Sequence, residues 1–228
     1  MLIPQIMPPA FPYRIDDCNC RSSSHSIMIV AFHREKRRPA VAKLIYLAIM
    51  SLDGYTADET GNFDWAEPDP EVHTFVNDLA RPLGTYLYGR GMYEVMAFWE
   101  DEVALEAQPE YIRDFGALWR EADKIVYSRS LPAIKTARTR LEREFGADQV
   151  RRLKTEARRD VGIGGAALAA DAFKAGLVDE CHILVAPASV GGGKTALPQG
   201  HRFRLELRAH RSFRNGMAYL HYLVRSWE

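Results

Sequence analysis

The sequence predicts an α/β protein with a mostly parallel sheet and antiparallel strands added at its end. Three observations carry this reading. Apolar runs of strand length alternate with segments whose apolar residues recur at helical spacing. The stretch Asp160 to Lys194 reads as strand, glycine turn, helix, strand and glycine-rich loop. Beyond it the helices stop, and two strands follow that are joined by the turn Arg214-Asn215-Gly216.

At 228 residues, with 47% hydrophobic and 26% charged side chains, the chain has ample apolar material for one sizeable core. Lysine plus arginine equals aspartate plus glutamate at 30 each, so no overall basic field suggests nucleic acid. No apolar run approaches the roughly 20 residues that cross a bilayer, so no membrane association is expected. Three cysteines, an odd number, fit a reducing compartment and a cytoplasmic location. Residues 1–42 differ from the rest, with early prolines, the run Ser22 to Ser24 and a basic stretch at Arg34 to Arg38. They are expected to be a disordered extension ahead of a domain spanning 43–228. Cys18 and Cys20 lack the second pair that a four-ligand metal site needs, and no metal is expected.

Leu44 to Met50 has no polar face and is expected to be a central strand. Ser51 to Tyr55 turns away from it. The loop to Trp65 is rich in turn formers and lies where ligands bind in open α/β sheets, beyond a strand's carboxyl end; it is a candidate lid. Asp69 caps a helix with Pro70 at its first position, and Val72, Phe75, Val76, Leu79 and Ala80 form its apolar face. A strand over Thr85 to Tyr88 ends at Gly89-Arg90, where a helix opens and the guanidinium could meet a phosphate. Tyr111 to Trp119 predict a helix, Lys124 to Tyr127 a strand ending at Ser128-Arg129, and Gln149 to Arg159 a basic helix. Phe203 to Leu207 and Met217 to Val224 are the closing strands. The last of these is expected to be an edge that pairs or packs across a homodimer.

Within the glycine stretch, Gly164 and Gly165 turn the chain sharply and leave bare amides at a helix start, an arrangement that favours anions. Gly162, Gly164 and Ala167 satisfy a G-x-G-x-x-A spacing. However, Asp179 and Glu180 precede the next strand rather than close it, so a Rossmann ribose site does not fit. Gly193-Lys194-Thr195 imitates the end of a phosphate-binding P-loop, but Pro198 interrupts the helix that should follow.

Taken in order, Met50-Ser51-Leu52-Asp53-Gly54 with Asp64-Trp65, Tyr88-Gly89-Arg90 with Tyr93-Glu94, Val126-Tyr127-Ser128-Arg129, Gly164-Gly165, Gly176 to Glu180 and Ala186-Pro187 resemble the dihydrofolate reductase-like superfamily. More narrowly they resemble the reductase domain of the riboflavin-biosynthesis deaminase–reductase in stand-alone form. The resemblance covers about residues 43 to 226. It implies a three-layer α/β/α sandwich and an NADPH-dependent reductase of a small heterocyclic substrate, like the 5-amino-6-(5-phosphoribosylamino)uracil reductase of riboflavin biosynthesis. It also implies a homodimer.

By that resemblance Gly164, Gly165 and Ala166 face the pyrophosphate, and Gly89, Arg90, Ser128 and Arg129 receive the adenosine 2′-phosphate. Backbone at Ala48 lies along the nicotinamide, and Ser51, Gly54 and Trp65 line the substrate. The family usually has threonine where Met92 stands, and a methionine cannot donate to phosphate. Asp53 is a candidate for binding or protonating substrate, and equally a turn-forming residue ahead of Gly54. Lys154 and Arg158 could meet a substrate phosphate or lie on the surface. No deaminase zinc signature is present, so the chain reads as reductase-only. Two alternatives stand beside the reductase: a protein that keeps the cofactor cleft without turnover, and a dihydrofolate reductase proper. The latter lacks a convincing inward acid on its first long helix, where only Glu71 and Asp78 are offered. A hydrolase finds no motif to support it.

Overall fold

The computed structural model describes residues 41–227, so the expectations for residues 1–40, the Cys18/Cys20 pair included, fall outside the described residues. Its elements run β1 (Leu44–Ser51), β2 (Tyr55–Ala57), a 3-10 turn at Asp64–Ala66, α1 (Pro70–Ala80), β3 (Leu83–Gly89), α2 (Arg90–Met96) and a second 3-10 turn at Ala97–Glu100. They continue with α3 (Glu102–Glu106), α4 (Glu110–Glu121), β4 (Asp123–Tyr127), β5 (Thr139–Glu142), α5 (Ala147–Glu156), β6 (Asp160–Gly164) and α6 (Ala166–Lys174). Last come β7 (Glu180–Ala186), β8 (Lys194–Thr195), β9 (Phe203–Ser212) and β10 (Ala218–Ser226).

Eight strands form one sheet in the order β5-β4-β3-β6-β1-β7-β10-β9, and β2 pairs with β8 apart from it. All neighbours in the large sheet are parallel except β10, which runs antiparallel to both β7 and β9. Because side chains alternate across a strand, each central strand serves two cores. Leu44, Tyr46, Leu87, Ile125, Cys181 and Ile183 pack with Val150 of α5 and Leu168, Ala169 and Phe173 of α6. Ile45, Tyr86, Tyr88 and Val126 pack with Ala80 of α1, Tyr93 of α2 and Trp119 of α4 on the opposite face. The result is the three-layer sandwich, and a strand segment buried on both sides cannot carry a polar face, which is why the start of β1, Leu44 to Tyr46, reads apolar.

Local signals account for several boundaries. The Asp69 carboxylate accepts from Val72 N at 2.9 Å and starts α1. The Asn215 side chain accepts from Met217 N at 3.0 Å and closes the β9–β10 turn. The spaced glycines of β6 have a packing cause. A Cβ on Gly162 would come within 2.9 Å of the Tyr86 ring and one on Gly164 within 2.9 Å of Tyr88. Those two rings lie stacked 5.6 Å apart on one face of β3. The G-x-G spacing therefore makes room for aromatic rings.

Three expectations need correction. β10 is not an edge: β9 lies outside it as a ten-residue strand, exposed from Arg204 onward. Tyr219 points inward, buried against Phe75 of α1. Lys154 binds Asp179 at 2.6 Å and the Leu177 carbonyl at 3.1 Å, at the amino-terminal edge of the sheet. That edge is opposite to the one where β1 ends, so Lys154 has no access to a ligand lying beyond Ser51.

Candidate active site at the carboxyl edge of the sheet

A crevice opens where two parallel strands part. β1 pairs with β6 only over Leu44–Tyr46, whereas it pairs with β7 from Ile45 to Ser51. From Leu47 onward, β1 has no strand neighbour on its β6 side among the described residues, and burial falls with it. Leu44 to Tyr46 are buried, but Leu47 to Met50 are only half-buried although the strand is central. Ala48, the expected nicotinamide neighbour, lies on this uncovered segment.

Across the crevice β6 ends at Gly164 and the chain enters α6 through Gly165. Gly165 has φ +91° and ψ 118°, which only glycine adopts without strain. Among the described residues no side chain caps α6, which leaves its first amides, beginning at Ala166, without a side-chain partner and with the helix dipole behind them. Met92 abuts this turn: a Cβ on Gly165 would stand 3.2 Å from its Cβ. α2 and α6 therefore start side by side from the adjacent strands β3 and β6, whose register places Tyr88 beside Gly164.

Next along the edge is the turn after β4. Arg90 Nε donates to Glu94 at 2.7 Å and its Nη1 to the Ser130 hydroxyl at 3.1 Å, leaving the guanidinium half exposed. Ser128 is buried; its amide donates to the Glu142 carbonyl at 2.9 Å, and its hydroxyl accepts from the amides of Ser130 and Leu131. Arg129 is exposed beside it. Arg143, unremarked in the sequence reading, donates from Nη1 to the carbonyls of Ser128, Arg129 and Leu131 at 3.3, 3.4 and 2.9 Å. One guanidinium thus fixes the path of the whole turn.

On the other side of the crevice two loops are joined. The Ser51 hydroxyl accepts from Tyr55 N at 3.0 Å, and Gly54 N donates to the Ser51 carbonyl at 2.9 Å. β2 then pairs with β8, so the loop expected as a lid is tied by backbone to the glycine loop 191–193. Trp65 sits in the 3-10 turn that lies against β1, within the same apolar cluster as Ile49; its indole Nε1 is buried with no acceptor among the described residues.

Asp53 completes the clasp. Its carboxylate accepts from the Ser189 hydroxyl at 2.9 Å, Val190 N at 3.1 Å and Gly191 N at 2.7 Å. The Ser51 hydroxyl foremost, then the Gly191 and Val190 amides and the Ser189 hydroxyl, hold this carboxyl well below the usual carboxylate range. The geometry gives Asp53 the work of an ionised tether rather than a local turn former. Apart from Ser51, the partners are 136 to 138 residues away in sequence, which is why nothing near Asp53 announced them.

The candidate residues therefore all stand on one edge of the sheet. Ala48, Ser51, Asp53, Gly54 and Trp65 flank one side, Gly164, Gly165 and Ala166 the centre, and Gly89, Arg90, Ser128 and Arg129 the other. The carboxyl groups of α1 turn away from it: Glu71 pairs with Arg211 at 2.9 Å and Asp78 with Arg81 at 3.2 Å.

Comparison with known proteins agrees with this architecture. The chain is 25% identical over 182 residues to the uncharacterized protein YyaP of Bacillus subtilis (strain 168), covering 79% of this chain and 94% of that one. The Thermotoga maritima diaminohydroxyphosphoribosylaminopyrimidine deaminase/5-amino-6-(5-phosphoribosylamino)uracil reductase superposes with a TM-score of 0.56 at 13% identity, over 82% of this chain and 57% of that chain. The dihydrofolate reductase of Enterococcus faecalis, complexed with NADP(H), superposes with a TM-score of 0.54 at 13% identity, over 80% and 96%. These structural likenesses establish a dihydrofolate reductase-like fold. The sequence profile of the RibD C-terminal domain matches residues 42–219, from two residues before β1 into β10. The chain belongs to the RibD C-terminal domain family.

Proposed function

We propose that this protein is an NADPH-dependent reductase that delivers hydride to a small heterocyclic substrate of the aminouracil type. One observation carries the reading. A central strand loses its neighbour and its cover from Leu47 onward, directly opposite the uncapped start of α6. A crevice floored by strand backbone and headed by free amides suits a flat ring joined to a phosphate.

The residues present fit a dinucleotide. The amides from Ala166 onward would hold its pyrophosphate, and the buried Nε1 of Trp65, lacking a protein acceptor, leaves a donor at the substrate side. Arg90 and Arg129 would bind the 2′-phosphate, with Ser128 and Arg143 shaping their loop. When bound, NADPH supplies the hydride. The chain's own part is orientation and the exclusion of water by the clasped loops. Asp53, held ionised, keeps the 189–191 loop closed over the site and has no proton to lend at neutral pH. The inward face of α1 carries no carboxylate, which argues against dihydrofolate as the substrate.

The test is to titrate NADPH and NADH by fluorescence, then to follow NADPH consumption with oxidised pyrimidines, pterins and quinones. Turnover with a pyrimidine supports the reading; cofactor binding with no turnover on any of them supports the cleft-without-chemistry alternative. Arg129→Glu should weaken NADPH about 10–100-fold, the worth of a charge-assisted hydrogen bond, with little change for NADH. Equal losses for both cofactors would remove the 2′-phosphate assignment.

A further inference from the structure

A second cluster of chemistry lies at the opposite end of β7. Glu180 and His182 stand on one face of that strand, and β10 places His221 directly across from His182. The imidazole rings stack with centroids 4.3 Å apart. Glu180 Oε2 is 3.1 Å from His221 Nε2 and 3.5 Å from His182 Nε2, and the three ligand atoms lie within 4.8 Å of one another. His182 Nε2 is buried and has no hydrogen-bond partner among the described residues, a costly state for a ring nitrogen unless something else occupies it.

We propose that Glu180, His182 and His221 form a three-ligand site for a divalent transition-metal ion of the zinc class. A four-coordinate ion with bonds of about 2.0–2.2 Å sets its ligand atoms about 3.4 Å apart. The two Glu180-to-imidazole distances already have that spacing. Two imidazoles and one carboxylate are the donor set that such ions prefer over calcium or magnesium. The support behind the ligands is also in place. The Tyr219 hydroxyl lies 2.6 Å from His182 Nδ1, which fixes the ring; in the tautomer where the tyrosine oxygen accepts the Nδ1 proton, the Nε2 lone pair is free for the metal. Lys43 Nζ holds the other carboxylate oxygen, Oε1, at 2.7 Å, so Oε2 is the one that faces the histidines.

Access exists as well. A recess of about 540 Å³ at the amino-terminal edge is lined by Lys43, Glu180 and His221, so an ion reaches the ligands from solvent while His182 closes the inner side. The fourth position faces this recess. The ion would cross-link β7 to β10, tying the β9–β10 hairpin to the parallel part of the sheet. The site is separate from the crevice, which opens at the other edge, so the proposal stands whether or not the reductase reading does.

The experiment uses the full-length chain, stripped with chelator and titrated with Zn²⁺ by equilibrium dialysis and calorimetry. One zinc per chain and a raised melting temperature are expected. His221→Gln, at a partly exposed position, should weaken binding about tenfold or more. Long-range proton–nitrogen spectra of the unaltered chain give a readout that needs no variant to fold: zinc should shift the ring nitrogens of His182 and His221. Absence of stoichiometric binding overturns the proposal. So does binding that survives His221→Gln but is lost in the Cys18→Ser/Cys20→Ser variant, and so do shifts confined to the other histidines.

Discussion

Replacing Gly165 by alanine tests whether the start of α6 is held as rigidly as a phosphate cradle requires. The residue sits at φ +91° and ψ 118°, outside the small left-handed well open to other residues. Forcing alanine there costs about 1–3 kcal/mol. The new methyl would also meet Met92 Cβ at 3.2 Å, and relieving that contact by shifting α2 adds about 1 kcal/mol. The sum is about 3 kcal/mol, or a fall in melting temperature of about 6–12 °C for a domain of this size. Gly61 supplies the control: it has φ +87° with nothing within 4 Å of a built Cβ, so Gly61→Ala isolates the backbone cost at about 1–2 kcal/mol. Urea unfolding followed by tryptophan fluorescence measures both variants, and NADPH titration measures the cradle directly. If Gly165→Ala loses no more stability than Gly61→Ala and binds NADPH as the parent does, the argument for a fixed amide turn is wrong.

Asp53→Asn should lower kcat/KM by loosening the 189–191 loop while leaving the shape of the pH profile between pH 5 and 8 unchanged. The folded pKa of Asp53 is depressed, so its contribution is complete above the unfolded value of about 3.9 and fades only as pH falls toward the folded one. A profile limb in that range that vanishes in the variant would restore a proton-transfer role. Arg143→Ala should release three carbonyls of the 128–131 turn and reduce the NADPH-to-NADH affinity ratio, with no rescue by lysine, which lacks the planar fork. An unchanged ratio would separate Arg143 from the cofactor. Since β10 is covered, we propose the exposed edge strand β9, rather than the last strand expected from the sequence, as the pairing surface for a second copy. Proline at Leu207 should shift sedimentation from dimer toward monomer, and a parent chain that sediments as a monomer ends that idea.

What the sequence determined by itself was whatever has a local cause. The Asp69 cap reaches Val72 three residues away, Gly176 ends its helix with φ +64°, and the Asn215 turn closes on Met217. The apolar start of β1, Leu44 to Tyr46, follows from burial on both faces. These signals sufficed for the layers of the fold and for the edge of the sheet that carries the candidate site. The short polar strand β5, Thr139–Glu142, was missed because a half-buried edge strand of four residues needs no apolar pattern. The tertiary structure alone decided the rest. The Asp53 clasp and the pairing of β2 with β8 each span more than 130 residues, and the meeting of Glu180 with His221 depends on an antiparallel register. Such contacts depend on which strands become neighbours. That choice is made by the packing of the whole chain and leaves no periodicity near either partner.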